Sequence, residues 1–302
     1  MSLITIVGGI ELGLIFSILS LGLYIAFRIL DLPDLTVDGS FVTGLAISGV
    51  LAQQNHPYLG ILMAVIGGSL AGIVTGLLHT KLKIQAILAG ILTMTALYSI
   101  NLIIMDEKPT VMFFGQKTIF SFFTGMFFVN GIDISKGLLL IIINILIVAL
   151  MIYFLNTKIG LSLRATGDNE VMVRSSSINT DMMKIIGFGL TNALVALSAA
   201  IYVQYNQQGS YTVGNGMLVL SLASIIIGEA LIGNKTILRN LIAIVLGSIV
   251  YRLALTYSFQ MGLPSSYLKL FSALIVVFAI FLPQLKSIYQ NYRKRVNHVR
   301  GQ

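Results

Sequence analysis

Long apolar segments, each close to the length needed to cross a lipid bilayer, fill most of this chain. The hydrocarbon core of a bilayer is about 30 Å thick, and a helix rises about 1.5 Å per residue, so about 20 apolar residues span it. Segments 58–78 and 137–155 have that length and contain no Asp, Glu, Lys or Arg. The pattern predicts an all-α, polytopic membrane protein.

Composition excludes the soluble class. Of the 302 residues, 56% are hydrophobic and 10% are charged, whereas soluble domains are about 25% charged. The chain has no cysteine, which excludes disulfides, thiolate metal sites and cysteine nucleophiles. His56, His79 and His298 are scattered along the chain, so no metal site is predicted.

Nine spans are predicted, within a range of eight to ten: 4–27, 35–52, 58–78, 84–105, 137–155, 185–205, 216–232, 238–257 and 266–285. The second and seventh are short and follow irregular, Gly-containing stretches. For both, a re-entrant or broken helix is therefore an alternative to a full span. Residues 110–129 are expected to lie flat on the outer surface. We assign residues 1–285 to one transmembrane domain and 286–302 to a basic cytoplasmic tail.

The distribution of Lys and Arg predicts the orientation, because cytoplasmic loops carry an excess of these residues. With the N-terminus outside and the C-terminus in the cytoplasm, fourteen of them fall on the cytoplasmic side. Three fall outside, namely Lys108, Lys117 and Lys136. The tail, with Tyr289 and Tyr292 among its basic residues, suits anionic lipid better than nucleic acid.

An odd number of spans permits an inverted repeat of four spans, one connector and four spans. The second and seventh spans begin alike, with Thr36-Val37-Asp38-Gly39 and Thr212-Val213-Gly214-Asn215-Gly216. The alternative is that Gly and Thr are simply common where helices begin.

One long polar loop, residues 156–184, interrupts the apolar segments. Asp168 is a good helix N-cap, so a short surface helix is predicted over Asn169–Ser176. Asn179 or Thr180 is predicted to cap the helix that follows. The alternative is that the loop is only a solvated connector. A soluble partner protein could, however, bind a surface helix of this kind and push on it.

The stretch 163–204 resembles the cytoplasmic coupling segment of ABC importer permeases, in the superfamily that serves branched-chain amino acids, ribose-type sugars and nucleosides. The matching residues are Gly160, Arg164, Ala165, Gly167, Asp168, Asn169, Glu170, Ile178, Asn179, Asp181 and Lys184, and Ser177 stands where Gly is usual. RILDLPDLTVDGSF (28–41), LAGILTMTALYSINLIIM (88–105) and GMLVLSLASIIIGEA (216–230) look like the tryptophan/tyrosine-type permeases of that superfamily.

That resemblance implies the membrane subunit of an ATP-driven importer in a bacterial cell membrane. Its implied partners are cytoplasmic ABC ATPase subunits, an extracellular substrate-binding lipoprotein and a second permease copy, expected to form a homodimer. The expected cargo is a small solute, an aromatic amino acid such as tryptophan or tyrosine. A nucleoside, sugar or peptide-like metabolite is the alternative.

No catalytic residue and no cofactor are expected on this chain, and ATP-Mg is expected on the ATPase. The stretch Gly228-x4-Gly233-Asn234-Lys235-Thr236 departs from the phosphate-binding loop because Asn234 is inserted and no soluble βα unit surrounds it.

Two sets of residues are candidates for function. The residues expected to couple the chain to the ATPase are Arg164, Gly167, Asp168, Asn169, Glu170, Val171, Met172, Arg174 and Asn179. Polar residues inside spans are costly and often functional, and those expected along a substrate path are Asp38, Ser40, Thr93, Thr95, Tyr98, Asn101, Asn192 and Gln204. Helix packing through hydrogen bonds is the alternative for each of these.

Ionisable residues inside the spans bear on a different class of protein, the ion-coupled secondary transporter. Such a protein needs an acidic residue near the midplane, whereas Glu11 and Glu229 are expected near the boundaries. Glu11 is expected to pair with Arg252 or Lys269, and Glu229 is closer in depth to Lys235 and Arg239.

Overall fold

The computed structural model describes residues 3–129, 132–233 and 236–260, together with positions 270, 273, 274, 277 and 281. These residues form ten α-helices, one π-helical turn, one 3₁₀ turn and two small antiparallel sheets. The helices are α1 (Leu3–Tyr24), α2 (Thr36–Gln53), α3 (Pro57–Thr80), α4 (Ala86–Ile104), α5 (Ser135–Leu155), α6 (Lys158–Asp168), α7 (Glu170–Ser175), α8 (Thr180–Asn206), α9 (Met217–Ile232) and α10 (Ile237–Gln260). The π-turn is Ile25–Ile29, the 3₁₀ turn is Tyr211–Gly214, and the strands are β1 (Thr110–Met112), β2 (Phe128–Val129), β3 (Ile132–Asp133) and β4 (Gln208–Ser210).

Seven helical stretches within these residues are long and apolar enough to cross a membrane. They are Leu3–Ile29, Pro57–Thr80, Ala86–Ile104, Ser135–Leu155, Thr180–Asn206, Tyr211–Ile232 and Ile237–Gln260. The predicted class, a helical polytopic membrane protein, is confirmed. The predicted last span, 266–285, lies outside the described residues apart from five positions, and so does the tail. The count of nine and the orientation therefore stay predictions.

The predicted second span forms α2, but its composition is too polar for α2 to be one of the seven. Most of its residues are buried within the protein, where several of their polar groups find partners. The Thr36 and Thr75 hydroxyls are 2.7 Å apart, and Ser48 donates to the Ala200 carbonyl over 3.3 Å. Because protein surrounds α2, it can carry polar groups that lipid would penalise.

Close helix packing explains the glycines of α3, as the four-residue spacing of Gly68, Gly72 and Gly76 predicts. A Cβ at Gly68 would lie 2.4 Å from the Asn192 carbonyl oxygen, and one at Gly72 would lie 2.1 Å from that of Phe188. A Cβ at Gly76 would lie 2.8 Å from the Ile185 Cα. Residues at four-residue spacing share one helix face, so α3 and α8 meet backbone to backbone along this stripe.

The pattern of helix contacts agrees with an inverted repeat in which α5 is the connector. Helix α1 packs on α10, and its proposed counterpart α8 packs on α3. Likewise α2 packs on α3, and α9 packs on α10. These two pairs of contacts correspond under the repeat. The contacts of α4 with α2 and α3 have their expected counterparts outside the described residues, so the repeat stays a prediction.

The segment 110–129, predicted to lie flat on the outer surface, is anchored to the helices below it. Strand β1 pairs with β4, and the backbone N–H of Ile119 donates to Gln204 Oε1 over 3.0 Å. Phe113 and Phe120 are buried, whereas Phe122 is exposed. Part of the aromatic content of this segment therefore belongs to the core.

Two of the predicted partners of the ionisable residues inside the spans, Arg252 for Glu11 and Arg239 for Glu229, are corrected. Glu229 forms an ion pair with Arg28, since the π-turn at the end of α1 brings Arg28 to α9. Glu11 accepts a hydrogen bond from the Tyr205 hydroxyl over 2.6 Å. Arg252, an expected partner of Glu11, lies over the Phe16 ring with 5.3 Å between the guanidinium carbon and the ring centre. Lys235 and Lys269 lie outside the described residues.

Candidate functional site

The polar loop folds into two helices, α6 and α7, and then turns into α8. Asn169 is extended, with φ −159° and ψ 94°, and its side chain accepts from the Met172 N–H over 3.0 Å. The prediction that Asp168 caps the short helix was wrong by one residue. The Asn169 N–H donates to the Ala165 carbonyl over 3.0 Å, so α6 continues through Asp168 and leaves the cap to Asn169.

Helix α6 itself was not predicted, because Gly160 and Gly167 are poor helix formers. Both are needed for close approach. A Cβ at Gly160 would lie 2.1 Å from the Phe154 carbonyl oxygen, and one at Gly167 would lie 1.8 Å from the Ile29 carbonyl oxygen. Tertiary packing thus outweighs propensity, and α6 lies directly on the end of α1.

The turn after α7 explains an unusual residue. Ser177 has φ +62°, a left-handed conformation that glycine adopts without strain. It is the position where the resemblance to the permeases led us to expect Gly. Asn179 then accepts from the Met182 N–H over 3.0 Å and caps α8, so the predicted cap is confirmed.

An ionic network fixes α7 to the start of α8. Glu170 Oε1 lies 3.1 Å from Arg174 Nη2, and Glu170 Oε2 lies 2.8 Å from Lys184 Nζ. Arg174 also lies 2.9 Å from Asp181 and donates to the Thr180 hydroxyl over 2.8 Å. Exposed ion pairs contribute little one at a time, but several that share atoms restrict the orientation of a two-turn helix.

The hydrogen bond from Lys184 is the main reason that the pKa of the Glu170 carboxyl lies below its ordinary value of 4.5. The charges of Lys184 and Arg174 and a hydrogen bond from Thr180 act in the same direction, while partial burial opposes them. Glu170 is therefore ionised at neutral pH, and the network is intact there.

Beside this ionic network, α7 carries two exposed apolar side chains. Val171 is 81% exposed and Met172 is 63% exposed, whereas Val173 is buried. Neighbouring apolar side chains that are this exposed on a polar surface helix are suited to contact with a partner. We call Val171 and Met172 the α7 tip.

A second site lies inside the helical bundle, where α2 and α9 begin. The Asp38 carboxylate accepts from the Gly216 N–H over 3.0 Å and from the Leu218 N–H over 2.9 Å. It thereby caps α9, whose N-terminus favours a negative charge. The 3₁₀ turn before α9 lies against α2, since a Cβ at Gly214 would lie 2.7 Å from the Asp38 carbonyl oxygen.

A cavity of about 320 Å³ opens beside this junction. We call it the α2–α9 cavity. Its lining comes from α2, α4 and the segment before α9, and consists of Asp38, Gly39, Val42, Met94, Thr95, Tyr98, Asn101, Tyr211 and Asn215. Four residues predicted for a substrate path, Asp38, Thr95, Tyr98 and Asn101, are among them.

The other predicted path residues lie outside that lining. Thr93 donates to the Ala89 carbonyl of its own helix over 3.0 Å, and Ser40 is fully buried. Gln204 donates to the Ser48 hydroxyl and to a backbone carbonyl at the start of α3. Asn192 donates to Asp34 Oδ2 over 2.7 Å. The bonds of Gln204 and Asn192 join separate parts of the bundle, which is the packing alternative.

Sequence reasoning missed Tyr211 and Asn215, although it noted the irregular stretch that contains them. It also missed Asp34, which is buried and accepts from the Thr36 N–H over 2.9 Å at the start of α2. An acidic residue two positions before a helix commonly forms such a bond to the backbone. Its deep position, however, depends on how the chain re-enters the bundle after α1.

Comparison with known proteins identifies the family. A model of the permease component of branched-chain amino acid transport systems matches residues 5–280. The chain belongs to this family. A tyrosine transport system permease protein of Clostridioides difficile is 38% identical over 266 residues, which are 88% of this chain and 86% of that protein. A ribose import permease protein of Haemophilus influenzae is 26% identical over 276 residues, 90% of this chain and 79% of that one.

No solved structure matches the chain. Family and spans together make it an ABC transporter permease, a multi-pass integral protein of the bacterial inner membrane. Its relatives are transport subunits and not enzymes. Permeases of ABC importers work in general with ATPase subunits and binding proteins.

Proposed function

We propose that this chain is the membrane subunit of an ATP-driven importer for an aromatic amino acid such as tyrosine or tryptophan. A lipoprotein outside the cell delivers the cargo, two permease copies form the path, and ATP-Mg is hydrolysed on the ATPase subunits. The observation that carries the proposal is the α7 tip, an exposed apolar pair on a helix that an ionic network holds in place.

The roles proposed for the predicted coupling residues differ with their contacts. Val171 and Met172 enter an apolar groove of the ATPase. Glu170 and Arg174 already bond within the chain, so we assign them the positioning of α7, while the exposed Asp168 offers a polar contact at its edge.

The remaining coupling residues shape the segment. Asn169 and Asn179 cap its helices, Gly167 fits α6 against α1, and Arg164 lies on α6 between these points. Closure of the ATPase would then move α6 and α7 as one body between two states of the path.

The proposed cargo is supported by the tyrosine transport relative and by the aromatic lining of the α2–α9 cavity. The ribose import relatives favour a second candidate, the same architecture carrying a sugar, a nucleoside or a peptide-like metabolite. An ion-coupled secondary transporter is the different class to be tested.

The proposal is tested by purifying the tagged chain from native membranes and identifying co-purifying proteins by mass spectrometry. An ABC ATPase and a lipid-anchored binding protein are expected. The purified assembly, placed in proteoliposomes, should take up L-tyrosine only with ATP. A chain that purifies alone and drives uptake from an ion gradient would refute the importer.

The α7 tip has its own test. Val171→Asp places a charge in the proposed apolar groove and should abolish co-purification of the ATPase without lowering the thermal stability of the permease. Leu82→Asp is the matched control, because Leu82 is 64% exposed on another predicted cytoplasmic loop. Equal ATPase recovery with the two variants would count against the assignment.

A further inference from the structure

The α2–α9 cavity contains a buried side chain with an unused hydrogen-bond acceptor. Asn101 is 2% exposed, and its Nδ2 donates to the Gly39 carbonyl over 3.2 Å. Its Oδ1 has no hydrogen-bond partner among the residues that the structure describes. Buried polar atoms are nearly always paired. Asn101 lines the cavity, and a small shift of its side chain would offer this buried oxygen to a donor that arrives with a ligand.

The charge beside this oxygen restricts which donor fits. Asp38 is the charged residue in the described lining. A carboxylate there attracts an ammonium group and repels a second carboxylate. The part of the cavity beside Asp38 is therefore suited to a cationic nitrogen rather than to an acid group.

The lining also contains apolar and aromatic side chains. The rings of Tyr98 and Tyr211 lie edge to face, with their centres 5.7 Å apart and an angle of 80° between their planes. Met94 and Val42 also line the cavity. Aromatic edge contacts and methionine sulfur both favour an aromatic guest. The cavity volume is at the lower end of ligand sites, which suits one small molecule.

We infer that the α2–α9 cavity binds an aromatic amino acid during transport, with its α-ammonium donating to Asn101 Oδ1 beside Asp38 and its ring against Tyr98 and Tyr211. This inference rests on the proposed function. The cargo carboxylate points away from Asp38, so the site recognises the amine and the ring and contributes little to recognition of the acid group.

That division of roles gives a sharp prediction about analogues. Tyramine keeps the amine and the ring and lacks the carboxylate, so it should compete with L-tyrosine at least as well as unlabelled L-tyrosine does. 3-(4-Hydroxyphenyl)propionate keeps the ring and the carboxylate and lacks the amine, so it should not compete.

The experiment is binding of radiolabelled L-tyrosine to the purified transporter in the absence of its binding protein. Asn101→Leu keeps the side-chain size and removes the acceptor, and a lost hydrogen bond to a charged group should weaken binding by about tenfold or more. Tyr98→Ala, at a partly exposed position, should weaken it as well. Tyr153→Ala, 74% exposed on α5, is the control and should leave binding unchanged.

Two results would overturn the inference: equal binding of L-tyrosine to the wild type, Asn101→Leu and Tyr98→Ala, or competition by the deaminated acid as strong as that by tyramine. ATP-driven uptake with the binding protein present separates the two failures. If L-tyrosine is taken up with the same KM in all variants, only this site is wrong. If D-ribose is taken up and L-tyrosine is not, the proposed cargo is wrong, and the inferred binding site for an aromatic amino acid is wrong as well.

Discussion

Replacing Gly167 with alanine tests whether α6 is fixed to the end of α1. The added Cβ would lie 1.8 Å from the Ile29 carbonyl oxygen and 2.8 Å from its carbon. The obstacle is main chain and not the end of a flexible side chain, so α6 must shift as a unit.

The expected cost follows from two opposing effects. Overpacking of a closely packed site costs about 1–3 kcal/mol, while alanine in a helix is favoured over glycine by about 1 kcal/mol. Gly8→Ala in α1 is the matched control, because nothing lies within 4 Å of a Cβ at Gly8. Gly8→Ala should therefore have the gain in helix propensity without the steric clash.

The assay is thermal unfolding of the purified protein in detergent, followed by ATP-driven uptake. One kcal/mol corresponds to about 2–4 °C for chains of 150–250 residues, so Gly167→Ala should unfold a few degrees below Gly8→Ala. Its uptake should fall more than its ATPase binding, since the α7 tip is intact. A Gly167→Ala protein as stable and as active as Gly8→Ala would show that α6 is not tightly fixed there.

Three further predictions concern the same face of the protein. Ser177→Gly relieves a left-handed residue and should raise the unfolding temperature slightly, whereas Ser177→Val should lower it. Because the folded pKa of Glu170 is lowered, its ionised form stabilises the segment above pH 4.5, and this contribution is lost as pH falls through the folded value. The stability difference between wild type and Glu170→Gln should therefore shrink below pH 4.5 in pH-dependent unfolding, and Lys184→Met should show the same trend. Arg28→Ala leaves Glu229 without its observed ion pair, so it should lower the unfolding temperature more than the double variant Arg28→Ala/Glu229→Gln does.

The sequence predicts the spans well, because span length and hydropathy are local properties that bilayer thickness imposes directly. It also predicts the close packing of α3, because small residues at four-residue spacing form a continuous stripe on one helix face, where a second backbone can approach. Asn179 was predictable as a cap because its signal, too, is local and lies within one turn of the helix it begins.

Features that depend on distant parts of the chain were missed or misplaced. Arg28 and Glu229 are 201 residues apart, and their pairing depends on the π-turn at the end of α1. Helix α6 was missed because its glycines look unfavourable until the backbone they approach is known. For the cavity, the sequence supplied Tyr98 and Asn101 as intramembrane polar residues but not their partner Tyr211, which a turn brings back into the bundle.

The two sites are connected by a series of short contacts. Gly167 of α6 lies on Ile29, and a Cβ at Gly187 of α8 would lie 2.2 Å from the Leu30 side chain. Four residues after Leu30, Asp34 accepts a hydrogen bond from the first N–H of α2. Asp38, in the first turn of α2, caps α9 beside the cavity. No long flexible side chain separates α6 from Ile29, so a rigid displacement of α6 must be taken up by the segment after α1. Under the proposed function, that segment is where movement of the ATPase reaches α2 and the cavity.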